Sequence, residues 1–173
     1  MIAHPWAARA RAELGDLAGA ARIAAGTPVD CTLCLRTRGH IAALGGRAQE
    51  SDRWFAAAVR TAPQLPLSYQ EWAERRLARG DLRGAAGLAA SAAKRGPRWA
   101  DPVKLTGDVL QRQGRRREAL SAYGDAAERA PRWGALHLAW GQALWRAGKQ
   151  DEARQKFRAA QTMDMSASER ERL

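Results

Sequence analysis

The chain has 173 residues, 46% of them hydrophobic, with 29 Lys and Arg against 18 Asp and Glu and a formal net charge of +11; its sequence pI is near 11.0. That length and apolar share suit one continuous folded core. The sequence has no run of eighteen apolar residues, which excludes a membrane-spanning helix, and Met1 to Leu14 holds arginines without a sustained apolar stretch, so no secretory signal is expected and the cytoplasm is the expected location.

Residues 1–30 read as a degenerate helical hairpin. Gly15-Asp16-Leu17 followed by Ala20 and Ala24 echoes Gly80-Asp81-Leu82 followed by Ala85 and Ala89, and Gly26-Thr27-Pro28 closes the second helix early. The echo belongs to a longer regularity. Gly46, Gly80, Gly114 and Gly148 stand 34 apart (80−46, 114−80, 148−114), and Pro63, Pro97 and Pro131 keep the same step. A fixed period of this length means one helix-turn-helix unit copied along the chain, each copy burying its apolar face only against its neighbours.

Cys31-Thr32-Leu33-Cys34 opens the first full unit, 31–63. Two cysteines three apart share a helix face, as a redox pair or half a metal site would, and they equally suit two small residues buried at a unit junction. No second cysteine pair exists, and His4, His40 and His137 show no ligand spacing to this one, so no metal or cofactor is expected. Units 64–97, 98–131 and 132–165 follow. Seven residues before each punctuating glycine comes a small residue, Gly39, Ala73, Gly107 or Gly141, as close helix crossing requires. The second helix of each unit carries Ser51, Ala85, Ala119 or Ala153, then Phe55, Ala89, Tyr123 or Phe157, then Ala58, Ala92, Ala126 or Ala160, all on one face.

From residue 32 to about 165 these columns resemble the tetratricopeptide repeat. The last unit shows it in His137, Trp140-Gly141, Leu144, Ala153 and Phe157; the earlier units show it in Val103, Thr106-Gly107, Leu110, Ala119 and Tyr123, in Tyr69, Trp72-Ala73, Ala85 and Ala92, and in Leu35, Gly39, Gly46, Phe55 and Ala58. Arg38 stands where Trp72 and Trp140 stand in other units, which is expected to weaken packing there. The resemblance implies an all-α fold, a right-handed superhelix of helical hairpins whose first helices line a concave groove. It further implies that this groove presents two ladders of side chains: Arg36, Gln70, Lys104 and Leu138, then His40, Glu74, Asp108 and Gln142, with Arg112, Arg146 and Trp145 beside them. The implied partner is a peptide or helical segment of another protein. Some members hold a peptide carboxylate with lysine and asparagine; the chain has Lys104 but no asparagine.

A strong basic excess also points to nucleic acid as a second reading. Much of it falls on Arg75-Arg76, Lys94-Arg95, Arg98, Arg132 and Arg115-Arg116-Arg117, at helix ends and in turns, rather than along the groove, where a row of phosphates would need it. The arginine run at a helix start opposes the helix dipole and would suit an anion; the alternative is a solvated basic surface. Pro97-Arg98-Trp99 and Pro131-Arg132-Trp133 recur at the period, as residues stapling successive units would, or as peptide anchors. Trp145 has no aromatic counterpart in other units and reads as an exposed anchor or as packing for a terminal cap. Searches for phosphate loops, nucleophile elbows and zinc helices find nothing, so no enzymatic activity is expected. Residues 166–173 read as the start of a C-terminal cap cut short, the chain as a piece of a longer protein, and an exposed array end leaves room for a homodimer.

Overall fold

The computed structural model describes residues 4–163. Within them lie ten α-helices and no strand: α1 Pro5–Glu13, α2 Leu17–Ala25, α3 Thr32–Leu44, α4 Ala48–Thr61, α5 Pro66–Ala78, α6 Leu82–Arg95, α7 Ala100–Arg112, α8 Arg116–Arg129, α9 Gly134–Arg146 and α10 Gln150–Gln161. The C-terminal segment expected over 166–173 lies outside the described residues. Among those described, no helix is long and apolar enough to cross a membrane.

Helix boundaries follow local chemistry. Asp16 and Asp81 cap α2 and α6, their carboxylates accepting the N–H of Gly19 and Gly84 at 2.8 and 2.9 Å. The chain reverses inside each hairpin through a glycine with positive φ: Gly15 (+90°), Gly46 (+71°), Gly80 (+85°), Gly114 (+76°) and Gly148 (+80°). A Cβ built at any of these five meets nothing within 4 Å, so backbone conformation alone selects glycine. Gly114→Ala is therefore expected to lower stability by about 1–2 kcal/mol, the cost of a left-handed conformation for an L-residue. Urea unfolding checks this, and an unchanged midpoint would refute it.

The second small-residue column has a different cause. A Cβ at Gly39, Gly107 or Gly141 would come within 2.7, 2.8 or 2.6 Å of the rings of Phe55, Tyr123 or Phe157. Where the small residue is Ala73, the partner column holds Ala89, and the two share one core cluster with Leu105. Ring and methyl thus exclude one another across each hairpin.

The repeating prolines end each unit and also act as acceptors. The Pro63 carbonyl receives Tyr69 Oη at 3.0 Å and Arg95 Nε at 2.6 Å. The Pro97 carbonyl receives Arg129 Nε at 3.1 Å, and Pro131 O lies 3.0 Å from His137 Nε2. Arg95 and Arg129 each stand 32 residues beyond their acceptor, so each ties the end of one unit to the end of the one before.

Arg38 corrects the sequence expectation. It strengthens its junction: Nε and Nη2 donate to Ala24 O at 3.1 and 2.9 Å and Nη2 to Thr27 O at 2.7 Å, satisfying carbonyls at the end of α2, while the guanidinium lies 4.9 Å from the centroid of the Trp54 ring.

Helices pair as α1–α2, α3–α4, α5–α6, α7–α8 and α9–α10, and each odd-numbered helix packs against the next odd one. No two even-numbered helices pack to a comparable extent. The odd-numbered layer is therefore the shorter, inner arc, and its exposed side is the concave face.

Candidate binding site on the inner face

The first two ladder positions are closed off. Arg36 is 6% exposed and Glu71 8%, and Arg36 donates through Nε to Glu71 Oε2 and through Nη2 to Oε1, both at 2.8 Å. Arg9, on α1, reaches past α3 to give Glu71 Oε1 a further bond of 2.8 Å. Burial alone would raise the Glu71 carboxyl, but these guanidinium bonds hold it below its ordinary value. His40 is buried too, with Nε2 3.3 Å from Glu13 Oε1; burial, with Arg9 and Arg75 nearby, lowers its pKa. Arg36, expected to face a partner, instead joins Arg9 and Glu71 in tying α1, α3 and α5 together, and His40, likewise expected there, is buried beside Glu13 with no hydrogen bond to its Nε2. The period could not reveal this, because Arg9 and Glu13 come from the segment that breaks it.

Further along, the inner face opens. A cavity of about 500 Å³ lies between α5, α7 and α9, lined among others by Gln70, Glu74, Lys104, Asp108, Gln142 and Arg146. Gln70 is buried and donates from Nε2 to Glu74 Oε1 at 3.1 Å. Its own Oε1 is buried without a hydrogen-bond partner, as is that of Gln111 in the same lining. Protein packed around Glu74, with Glu71 nearby, raises its carboxyl above the usual range. Lys104 Nζ lies 2.8 Å from Asp108 Oδ2, and Asp108 Oδ1 accepts Tyr123 Oη at 2.8 Å. Burial, then the Asp108 charge, pushes the Tyr123 phenol up, keeping it a donor. Arg112 donates to Leu77 O at 3.2 Å from the exposed rim.

The structure thus brings Gln70, Glu74, Lys104, Asp108, Arg112, Gln142 and Arg146 into one lining. Leu138, expected as an apolar anchor, is instead buried in the core. Trp145 is 49% exposed but lies outside the cavity lining. Trp133, read from the sequence as a staple or an anchor, both packs on the core around Leu136 and lines the cavity, with Lys104 Nζ 5.9 Å from its ring centroid.

Several arginines counted toward an anion-binding surface are engaged within the fold. Arg115 pairs with Glu118, Arg76 joins Arg79 on Asp52 at 3.0 and 2.6 Å, and Arg95, like Arg129, holds a proline carbonyl. Arg98, Arg116, Arg117 and Arg132 are exposed.

Of the readings left open for the cysteines, two unlinked small residues buried at a unit junction is not what the structure has: Cys31 and Cys34 are joined in a disulfide. Cys31 is the N-cap of α3 rather than a residue within it, and its Sγ accepts the N–H of Cys34 at 3.1 Å. Among the described residues, no group of three or more His, Cys, Asp or Glu side chains is placed to hold a metal ion.

Neither a protein-family model nor a curated protein matches the chain. Solved structures do. A crystal structure of MamA superposes with a TM-score of 0.69 at 18% identity, covering 95% of this chain and 95% of that one. A MamA structure from residue 41 to the end, from Desulfovibrio magneticus RS-1, gives 0.70 at 15% identity with 89% of each chain covered. At these identities the likeness is one of fold, and it supports an all-helical repeat architecture.

Proposed function

We propose that the cavity between α5, α7 and α9 receives an extended or helical segment of another protein, and that the chain acts as a binding scaffold rather than an enzyme. The observation that carries this reading is the cavity itself, about 500 Å³ on the inner face, lined by polar side chains from three successive first helices. Within that lining, Glu74 and Asp108 supply acceptors. Arg112 and Arg146, at the ends of α7 and α9, supply donors, so a segment with polar groups of both kinds would find directional bonds. Trp133 adds aromatic surface of the type that dominates binding energy.

A random-peptide library displayed on phage tests the reading. Peptides retained by the wild type are expected to bind Arg112→Glu/Arg146→Glu at least about tenfold more weakly, equivalent to 1.4 kcal/mol. Trp145→Ala, outside the cavity, is expected to retain them in full. Retention unaffected by the double charge reversal would remove the cavity from the binding surface.

A further inference from the structure

The Cys31–Cys34 disulfide stands outside the binding reading, and three features bear on its chemistry. The bond joins residues three apart, and so short a loop removes little freedom from the unfolded chain, which makes it a weak staple. The two sulfurs sit in unlike places, Cys34 being 2% exposed and Cys31 only half-buried, behind the exposed residues Pro28, Val29 and Asp30. Finally, Cys31 is the N-cap of α3, where its Sγ already accepts the Cys34 N–H. On reduction that same position favours a thiolate, because unpaired amide donors and the positive end of the helix dipole face it. Asp30, next in the chain, is the charged neighbour that opposes this. Arg38 lies further along α3 and is tied to the carbonyls of Ala24 and Thr27.

We infer that Cys31 and Cys34 form an exchange-active dithiol–disulfide couple, in which Cys31 reacts with an external thiol or disulfide and Cys34 resolves the product. In the oxidised form, an external thiolate attacks Cys31 Sγ, the S–S bond breaks, and Cys34 departs as a thiolate that takes a proton from water. A second thiol of the same class then displaces Cys31. Two thiols have become one disulfide, and the protein has gained two electrons and two protons. The reverse sequence reduces an external disulfide. The substrate class is therefore a thiol or disulfide, carried by a small molecule or by a protein.

The test compares Cys34→Ser, which leaves Cys31 alone, with Cys31→Ser, which leaves Cys34 alone. The pH dependence of iodoacetamide alkylation, read by mass spectrometry, should give Cys31 a pKa at least one unit below the ordinary free-thiol value of about 8.5. At neutral pH, Cys31 should form mixed disulfides at least about tenfold faster than Cys34 with glutathione disulfide, with insulin, or with both; which probe reacts distinguishes a small from a protein substrate. If either variant fails to fold, reduced wild type carries the same comparison through site-resolved alkylation. A Cys31 pKa at or above the free-thiol value, equal rates at the two sulfurs with both probes, or loss of helical signal when the wild type is reduced would overturn the inference.

Discussion

Glu71→Ala is expected to destabilise the array by about 3–5 kcal/mol, the typical loss when one partner of a buried ion pair is removed. Arg36 is almost wholly buried and spends two of its donors on that one carboxylate, so the variant leaves a guanidinium without its counter-charge in the packed interior. Arg9 loses its hold across α3 as well. Urea unfolding of wild type, Arg9→Ala, Glu71→Ala and Arg36→Met/Glu71→Leu separates the terms. Arg9, less buried, should cost less than Glu71, and the apolar pair should recover most of the stability, because well-packed apolar residues often replace a buried pair without loss. The pH dependence has a definite sign. Because the folded-state pKa of Glu71 lies below its ordinary value of 4.5, its contribution is present in full above that value and is lost as pH falls through the folded pKa. The gap between wild type and Glu71→Gln should therefore narrow in acid, and a gap that widened there would refute the assignment.

The second large effect is a coupling. Gly107→Ala should cost about 1–3 kcal/mol, because its methyl would press on the Tyr123 ring, which is buried and tied by its hydroxyl to Asp108. Tyr123→Ala should cost about 3–5 kcal/mol through the space it leaves. The double variant recreates the alanine pair that the α5–α6 hairpin already uses at Ala73 and Ala89. It is expected to be more stable than the sum of the single losses by about 0.5–3 kcal/mol. Additive losses would show that ring and methyl do not compete for one space.

The period of 34 made the helical hairpins legible, since a residue that reverses the chain or lies under a crossing helix must recur with the architecture. Gly46, Gly80, Gly114 and Gly148 carried that information, and so did the exchange of Gly107 against Tyr123 and Ala73 against Ala89. Part of the inner face was legible once the resemblance to the tetratricopeptide repeat supplied a phase for the period: it implied Gln70, Glu74, Lys104, Asp108 and Gln142 on the ladders, with Arg146 beside them. Arg36 and His40 were misplaced because the groups packed against them, Arg9, Glu13 and Glu71, lie off the ladder columns, two of them in a hairpin that does not keep the period. Leu138 fills an inner-face column in the sequence, yet an aliphatic side chain there sinks into the core. The spacing of Cys31 and Cys34 allowed a bond, but spacing cannot set an oxidation state. Arg38 looked like a lost tryptophan until the carbonyls at the end of α2 appeared beside it.

The ties from Arg95 to Pro63 and from Arg129 to Pro97 bear on how the molecule can be divided. No single hairpin excised at the prolines keeps both ends of either link, whereas residues 31–97 retain the first intact and residues 64–131 the second. Shortening the chain step by step should therefore cost more at a cut that severs a guanidinium from its carbonyl than at one that spares the connection.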